Sequence, residues 1–61
     1  MDFRDVERII KDDGWYYYET RGAHCHYKHP SKQGKVTIPY HKGDLNIKTV
    51  KSIFRQAGIT R

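Results

Sequence analysis

Apolar residues at helical spacing occupy both ends of this chain and a β-favouring stretch lies between them, which sets the order of elements before packing is considered. Phe3, Val6, Ile9 and Ile10 fall on one helical face. Asp2 can cap that helix, Asp5 and Glu7 suit its N-terminal turns and Gly14 its stop, so the spacing predicts a helix from about Phe3 to Asp12. A second stripe, Ile47, Val50, Ile53, Phe54 and Ala57, is opened by Asn46 and closed by Gly58. Between the helices, Trp15 to Arg21 is a run of β-favouring aromatics that ends at Gly22, and His24 to His29 is a second extended segment stopped by Pro30. Lys35 to Tyr40 alternates Val36, Ile38 and Tyr40 against Lys35 and Thr37, as a third strand should.

The expected fold is α+β, in the order α-β-β-β-α, with a three-stranded antiparallel sheet carrying both helices on one face. A chain of 61 residues buries only about 60% of the surface its unfolded form exposes, so residues 1–61 are expected to form a single domain with one modest core. If Val36 and Ile38 face the helices, Cys25 and Tyr27 join them, leaving His24, His26 and Lys28 on the open face beside Lys35 and Thr37. The first strand does not declare its register. Trp15, Tyr17 and Glu19 on one side and Tyr16, Tyr18 and Thr20 on the other are both partly aromatic.

Twelve Lys and Arg against seven Asp and Glu give a formal charge of +5 and a pI near 9.6, which favours a polyanionic partner such as nucleic acid or an acidic protein. The mean hydropathy of −0.94 leans toward disorder, but eight aromatics and two periodic stripes supply the area a core needs. One cysteine excludes an internal disulfide framework and a CxxC zinc half-site. No apolar run is long enough for a signal peptide or a membrane span. A cytoplasmic protein without a membrane partner is expected.

All four histidines fall between positions 24 and 41. Histidine is the side chain whose charge changes near neutral pH, and imidazoles among cations suit proton transfer around a phosphodiester. From composition His24 reads either as a general acid or base or, more commonly, as an exposed strand histidine; Lys28 and Lys35 are the candidate phosphate contacts, with Arg21, Lys42, Lys48, Lys51 and Arg55 as further cations. His24 and His26 with His29 or His41 have the composition of a metal site, yet no nearby Asp or Glu is expected to complete it or orient the rings and His29 should lie on the opposite face, so neither metal nor cofactor is expected. Tyr16, Tyr17 and Tyr18 can stack on bases, but packing in the core or along an edge is the favoured reading. Cys25 reads as a small buried hydrophobe.

Gly22-Ala23-His24, Tyr27-Lys28-His29-Pro30, Lys35-Val36-Thr37-Ile38-Pro39 and the ending from Thr49 to Ile59, which closes on Arg55-Gln56-Ala57-Gly58-Ile59, resemble the HicA family of bacterial toxins. The resemblance covers nearly the whole chain. It implies a fold like a double-stranded RNA-binding domain, ribosome-independent endonucleolytic cleavage of mRNA and neutralisation by a HicB-type antitoxin. By motif position it implies that His24 is catalytic and that Gly22 contacts RNA. The chain departs from the family's Gly-Ser-His in having Ala23, which removes a hydroxyl beside the catalytic position. The alternative is a non-catalytic RNA-binding module of the same fold, in which Ala23 marks a lost active site.

Overall fold

Reciprocal carboxylate caps open the first helix. The Asp2 carboxylate accepts from the Asp5 backbone N–H at 3.0 Å, and Asp5 returns the bond to the Asp2 N–H at 3.2 Å, satisfying amide groups that have no partner inside the helix. In the computed structural model, which describes residues 1–60, this helix is α1 (Phe3–Asp12), followed by β1 (Tyr16–Arg21), β2 (His24–Lys28), β3 (Val36–Pro39) and α2 (Ile47–Ala57). The strands form one antiparallel sheet in the order β1-β2-β3. The fold class, the element order and both helices are as the spacing predicts, in a topology like that of a double-stranded RNA-binding domain.

The core lies between the helices and one sheet face. Val6 and Ile10 from α1, Cys25 and Tyr27 from β2, Val36 and Ile38 from β3, and Val50, Ile53, Phe54 and Ala57 from α2 are buried together with Trp15 and Leu45. Each large aliphatic side chain here contributes about 1.5–3 kcal/mol by leaving water. The polar groups carried into this layer are satisfied: the Tyr27 hydroxyl donates to the Glu7 carboxylate of α1, and the Trp15 indole N–H also finds an acceptor. Burial, reinforced by that carboxylate, raises the Tyr27 pKa and keeps the phenol a neutral donor. No described helix is long and apolar enough to cross a membrane.

Both helices close in the same way, and their ends meet. At α1 the Trp15 N–H bonds the Ile10 carbonyl and the Gly14 N–H that of Lys11; at α2 the Ile59 N–H bonds Phe54 and the Gly58 N–H bonds Arg55. Each is a Schellman closure on a positive-φ glycine, φ 107° at Gly14 and 70° at Gly58. The Trp15 indole Nε1 then donates to the Ala57 carbonyl at 3.2 Å. Lys32 Nζ donates to that same oxygen at 3.0 Å and pairs with the Asp13 carboxylate. His29 Nε2 donates to the Asp13 carbonyl at 2.7 Å, while its Nδ1 accepts from the backbone N–H groups of Ser31 and Lys32.

Three local expectations change as a result. Trp15 is not the start of a strand but a core residue set by the α1 closure, and β1 begins one residue later. His29 leaves β2, because its ring is drawn against Trp15 at a centroid distance of 5.1 Å and bonded to the end of α1. β3 is shorter than Lys35 to Tyr40 by one residue at each end. In β1 a bulge lies between Tyr17 and Glu19. Glu19 and Arg21 pair with outward residues of β2, yet Tyr17 pairs with the inward Tyr27, so the side-chain alternation reverses at Tyr18. Tyr17 and Thr20, three residues apart, consequently share a side and join hydroxyls at 2.6 Å. The three tyrosine rings stay 51–53% exposed, which excludes a core role and leaves them on an edge strand.

A Cβ on Gly14 would stand 2.6 Å from His29 Nε2 in a backbone conformation side chains rarely adopt. Gly14→Ala should therefore lower the unfolding free energy by about 2–4 kcal/mol, measured by urea denaturation. Acid should loosen the same junction. The hydrogen bond from Lys32 holds the Asp13 carboxyl below its ordinary value, and the Asp5 backbone bond does so for Asp2. Both groups bind protons more weakly folded than unfolded, so their stabilisation is complete above the unfolded carboxyl pKa of about 3.9 and is lost as pH falls through the depressed folded values. The urea midpoint should fall below about pH 4, and Asp13→Asn should be weaker at pH 7 with a shallower acid decline.

Candidate active site

The sheet face turned away from the helices is built on β2. Because Cys25 and Tyr27 point into the core, His24, His26 and Lys28 project from the other side of the central strand. Ladder partners add Arg21 beside His24, Glu19 beside His26 and Tyr16 beside Lys28 from β1, and Pro39 and Thr37 from β3. The Tyr18 ring joins them, lying under the Lys28 ammonium at 4.4 Å from the ring centroid. Such a contact at an exposed site contributes about 0.5–1 kcal/mol.

The hairpin that delivers His24 is tight. Gly22 and Ala23 alone connect Arg21 to its ladder partner His24, and Gly22 has φ 58° while no residue other than glycine has a positive φ among those described. Glycine first with positive φ and an ordinary second residue is the pattern of a two-residue type II′ turn. Open space surrounds the position a Gly22 Cβ would occupy, so glycine is demanded by conformation rather than by crowding. The Tyr40 N–H donates to the Ala23 carbonyl at 2.7 Å, which carries the β2–β3 ladder to the turn. His24 and Pro39 thereby form a non-hydrogen-bonded pair, where the missing proline N–H costs nothing. At Thr37, whose N–H also faces away from β2, the Gln56 side chain of α2 accepts that hydrogen at 2.9 Å.

The four histidines divide by their bonds. His29 is held in the helix-end junction, His41 Nδ1 donates to the adjacent Lys42 carbonyl at 2.7 Å, and His26 Nδ1 meets the Thr37 hydroxyl at 2.9 Å. Of the four imidazoles, that of His24 alone makes no hydrogen bond among the described residues, and it is exposed. His26 is half-buried, on the same face, about 7 Å further along the strand. Its ring is oriented by Thr37 with Nε2 left available. One expectation is corrected here: Glu19, remote in sequence, is brought beside His26 by the ladder, although its carboxylate is engaged by Arg21 Nε at 3.0 Å. No three His, Cys, Asp or Glu side chains among the described residues come together as a metal site.

Lys28 shares the face of His24 but stands four residues along the strand, about 13 Å away. Lys35 is exposed just before β3, beyond the ladder. The proposed phosphate contacts therefore lie at the far end of the sheet and not beside the imidazole. Closer to the His24 end is a cleft of about 380 Å³ lined by Phe3, Arg4, Tyr40, His41 and Lys42, among others. Arg4 was not singled out by the sequence, since a cation on a helix surface carries no local signal; only the closeness of Tyr40 to the hairpin brings it in.

A sequence model of the HicA toxin of bacterial toxin-antitoxin systems matches residues 3–59. The chain belongs to the HicA toxin family. No curated protein matches it significantly. The family match spans α1 through the α2 closure, so the Gly-Ala-His hairpin and the Arg55–Ile59 ending both fall within HicA sequence. In this HicA protein the second of those motifs is structural. Gln56 caps the β3 edge, the Ala57 carbonyl takes the indole and ammonium bonds, Gly58 supplies the left-handed turn and Ile59 packs on the core.

A side chain at position 22 must accept positive φ. Gly22→Val should cost about 1–3 kcal/mol and Gly22→Asn distinctly less, because asparagine tolerates the left-handed region. Thermal unfolding of the two variants checks the order.

Proposed function

We propose that this HicA-family protein is the toxin of a type II toxin-antitoxin pair and acts in the cytoplasm as a metal-independent endoribonuclease on mRNA, with His24 as its central catalytic group. The single observation that carries the reading is the state of His24. Among the described residues it is the one imidazole with no hydrogen bond, presented on the central strand at the end of a tight two-residue turn.

The chemistry follows from an imidazole beside a phosphodiester. As general base His24 takes the proton from the ribose 2′-hydroxyl, whose oxygen attacks phosphorus; the bond to the 5′-oxygen breaks, and that oxygen receives a proton from a second group. His26 fits this second role, being on the same face, oriented by Thr37 and free at Nε2. The products are a 2′,3′-cyclic phosphate and a 5′-hydroxyl. Gly22 brings the turn backbone near the substrate, while Lys28 and Lys35 engage flanking phosphates at the far end of the face, each such contact steepening the salt dependence of binding. No cofactor takes part. A HicB-type antitoxin would neutralise the enzyme by covering His24 and the cationic face, complementary charge speeding the encounter.

Ala23 favours the second reading, a binding module without turnover, since it lacks the hydroxyl of the family's Gly-Ser-His. Turnover separates the two. A defined single-stranded RNA incubated with the purified protein in excess EDTA should be cut, leaving 5′-hydroxyl ends, and His24→Ala, folded by circular dichroism, should cut about 10²- to 10⁴-fold more slowly. Cleavage of equal rate by both would remove His24 from the mechanism, and RNA bound without cleavage would establish the module.

A further inference from the structure

The reversal at the β1 bulge gives the open face an aromatic surface that strict alternation would not. Tyr16 arrives there by pairing with Lys28, and Tyr18 by its contact with the Lys28 ammonium. Tyr17 turns to the other side, where its hydroxyl bonds Thr20 and its ring meets Tyr27 edge-on at 6.0 Å. Tyr16 and Tyr18 are left about half exposed, and their hydroxyls make no hydrogen bond among the described residues. Two half-exposed rings, a cation over one of them and the His24 imidazole share one face.

We propose that Tyr16 and Tyr18 form a stacking platform for unpaired bases of the RNA, which confines cleavage at His24 to single-stranded substrate. The inference rests on the endoribonuclease reading and names the substrate class of that same face. Every base presents a π-face, so stacking on tyrosine is tolerant of sequence, and it requires a strand whose bases are not already paired. Charge complementarity points to RNA as the occupant: Lys28 and Arg21 lie on this face of a chain with net charge +5. Lys28 has two uses. In the unbound protein its ammonium lies over the Tyr18 ring, where a base would stack; when RNA arrives it moves to a phosphate and yields the ring. The rings stand near Lys28, about 13 Å along the strand from His24, so they hold bases flanking the cleaved link. Their loss should raise KM and leave kcat nearly unchanged.

The test is fluorescence anisotropy of the full chain with three labelled probes: a 2′-O-methyl RNA dodecamer, which lacks the attacking hydroxyl, an abasic strand of the same backbone, and the dodecamer annealed to its complement. Tyr16→Ala and Tyr18→Ala should each weaken binding of the single strand about ten-fold, and Tyr18→Phe should stay within about two-fold. The native chain should bind the abasic strand and the duplex as weakly as the double alanine variant binds the single strand. Folded alanine variants with native affinity would overturn the platform and assign the rings to a protein partner. Equal binding of abasic and normal strands by the native chain would overturn it too, and that comparison stands even where an alanine variant does not fold. Native RNA cleavage alongside either result would discard the platform and leave the nuclease reading intact, whereas neither cleavage nor binding of any RNA would discard both.

Discussion

Two helix C-termini meet at one corner of this molecule, and the way their carbonyls are satisfied holds the rest together. Each helix end carries partial negative charge on oxygens with no partner in the helix, and bringing two such ends together is unfavourable without donors between them. Lys32 provides a cation that touches both ends, Trp15 an indole N–H and His29 an imidazole N–H. Because Trp15 is also the residue before β1 and His29 the residue after β2, the same bonds fix where the first hairpin leaves and rejoins the helical layer. The sheet inherits its position from this junction.

The face that carries His24 needs that support because it contributes little stability of its own. Its residues are polar, aromatic or exposed, and the exposed Arg21–Glu19 pair on it belongs to a class that typically adds less than about 1 kcal/mol. Rigidity comes from beneath, where Cys25 and Tyr27 interlock with the helices, and from the edge, where Pro39 and the Gln56 cap leave β3 few exposed donors. The His24 imidazole on such a strand is held by its backbone while its ring makes no hydrogen bond among the described residues, an arrangement that suits the proton transfer proposed for it.

Much of this was legible in the sequence, for reasons particular to each element. The helices and third strand have one apolar face each, so period alone locates them and predicts which β2 residues point inward. The first strand was not legible. Three consecutive tyrosines present the same chemistry to both sides, and the bulge that decides among them is a backbone event with no residue signature. Trp15 and His29 depart from the strands for a related reason: Trp15 has strand propensity and His29 precedes a proline that favours extended backbone, but for each a hydrogen bond to a helix end outweighs the local preference. His24 could be singled out as catalytic only by its motif; that it alone is unbonded is a property of the fold. The Arg55–Ile59 ending is as specific as the Gly-Ala-His hairpin, yet the structure explains Gln56 to Ile59 through helix closure, edge capping and core packing.

The bond between Trp15 and Ala57 spans 42 positions, most of the folded length. Contacts of such separation form only after a large loop has closed, so no partial chain can hold the junction. During synthesis the strand bearing His24 emerges well before α2 exists to close the corner. The nascent chain thus carries His24 before it carries the corner that positions the sheet, and that corner closes only once the far helix is released.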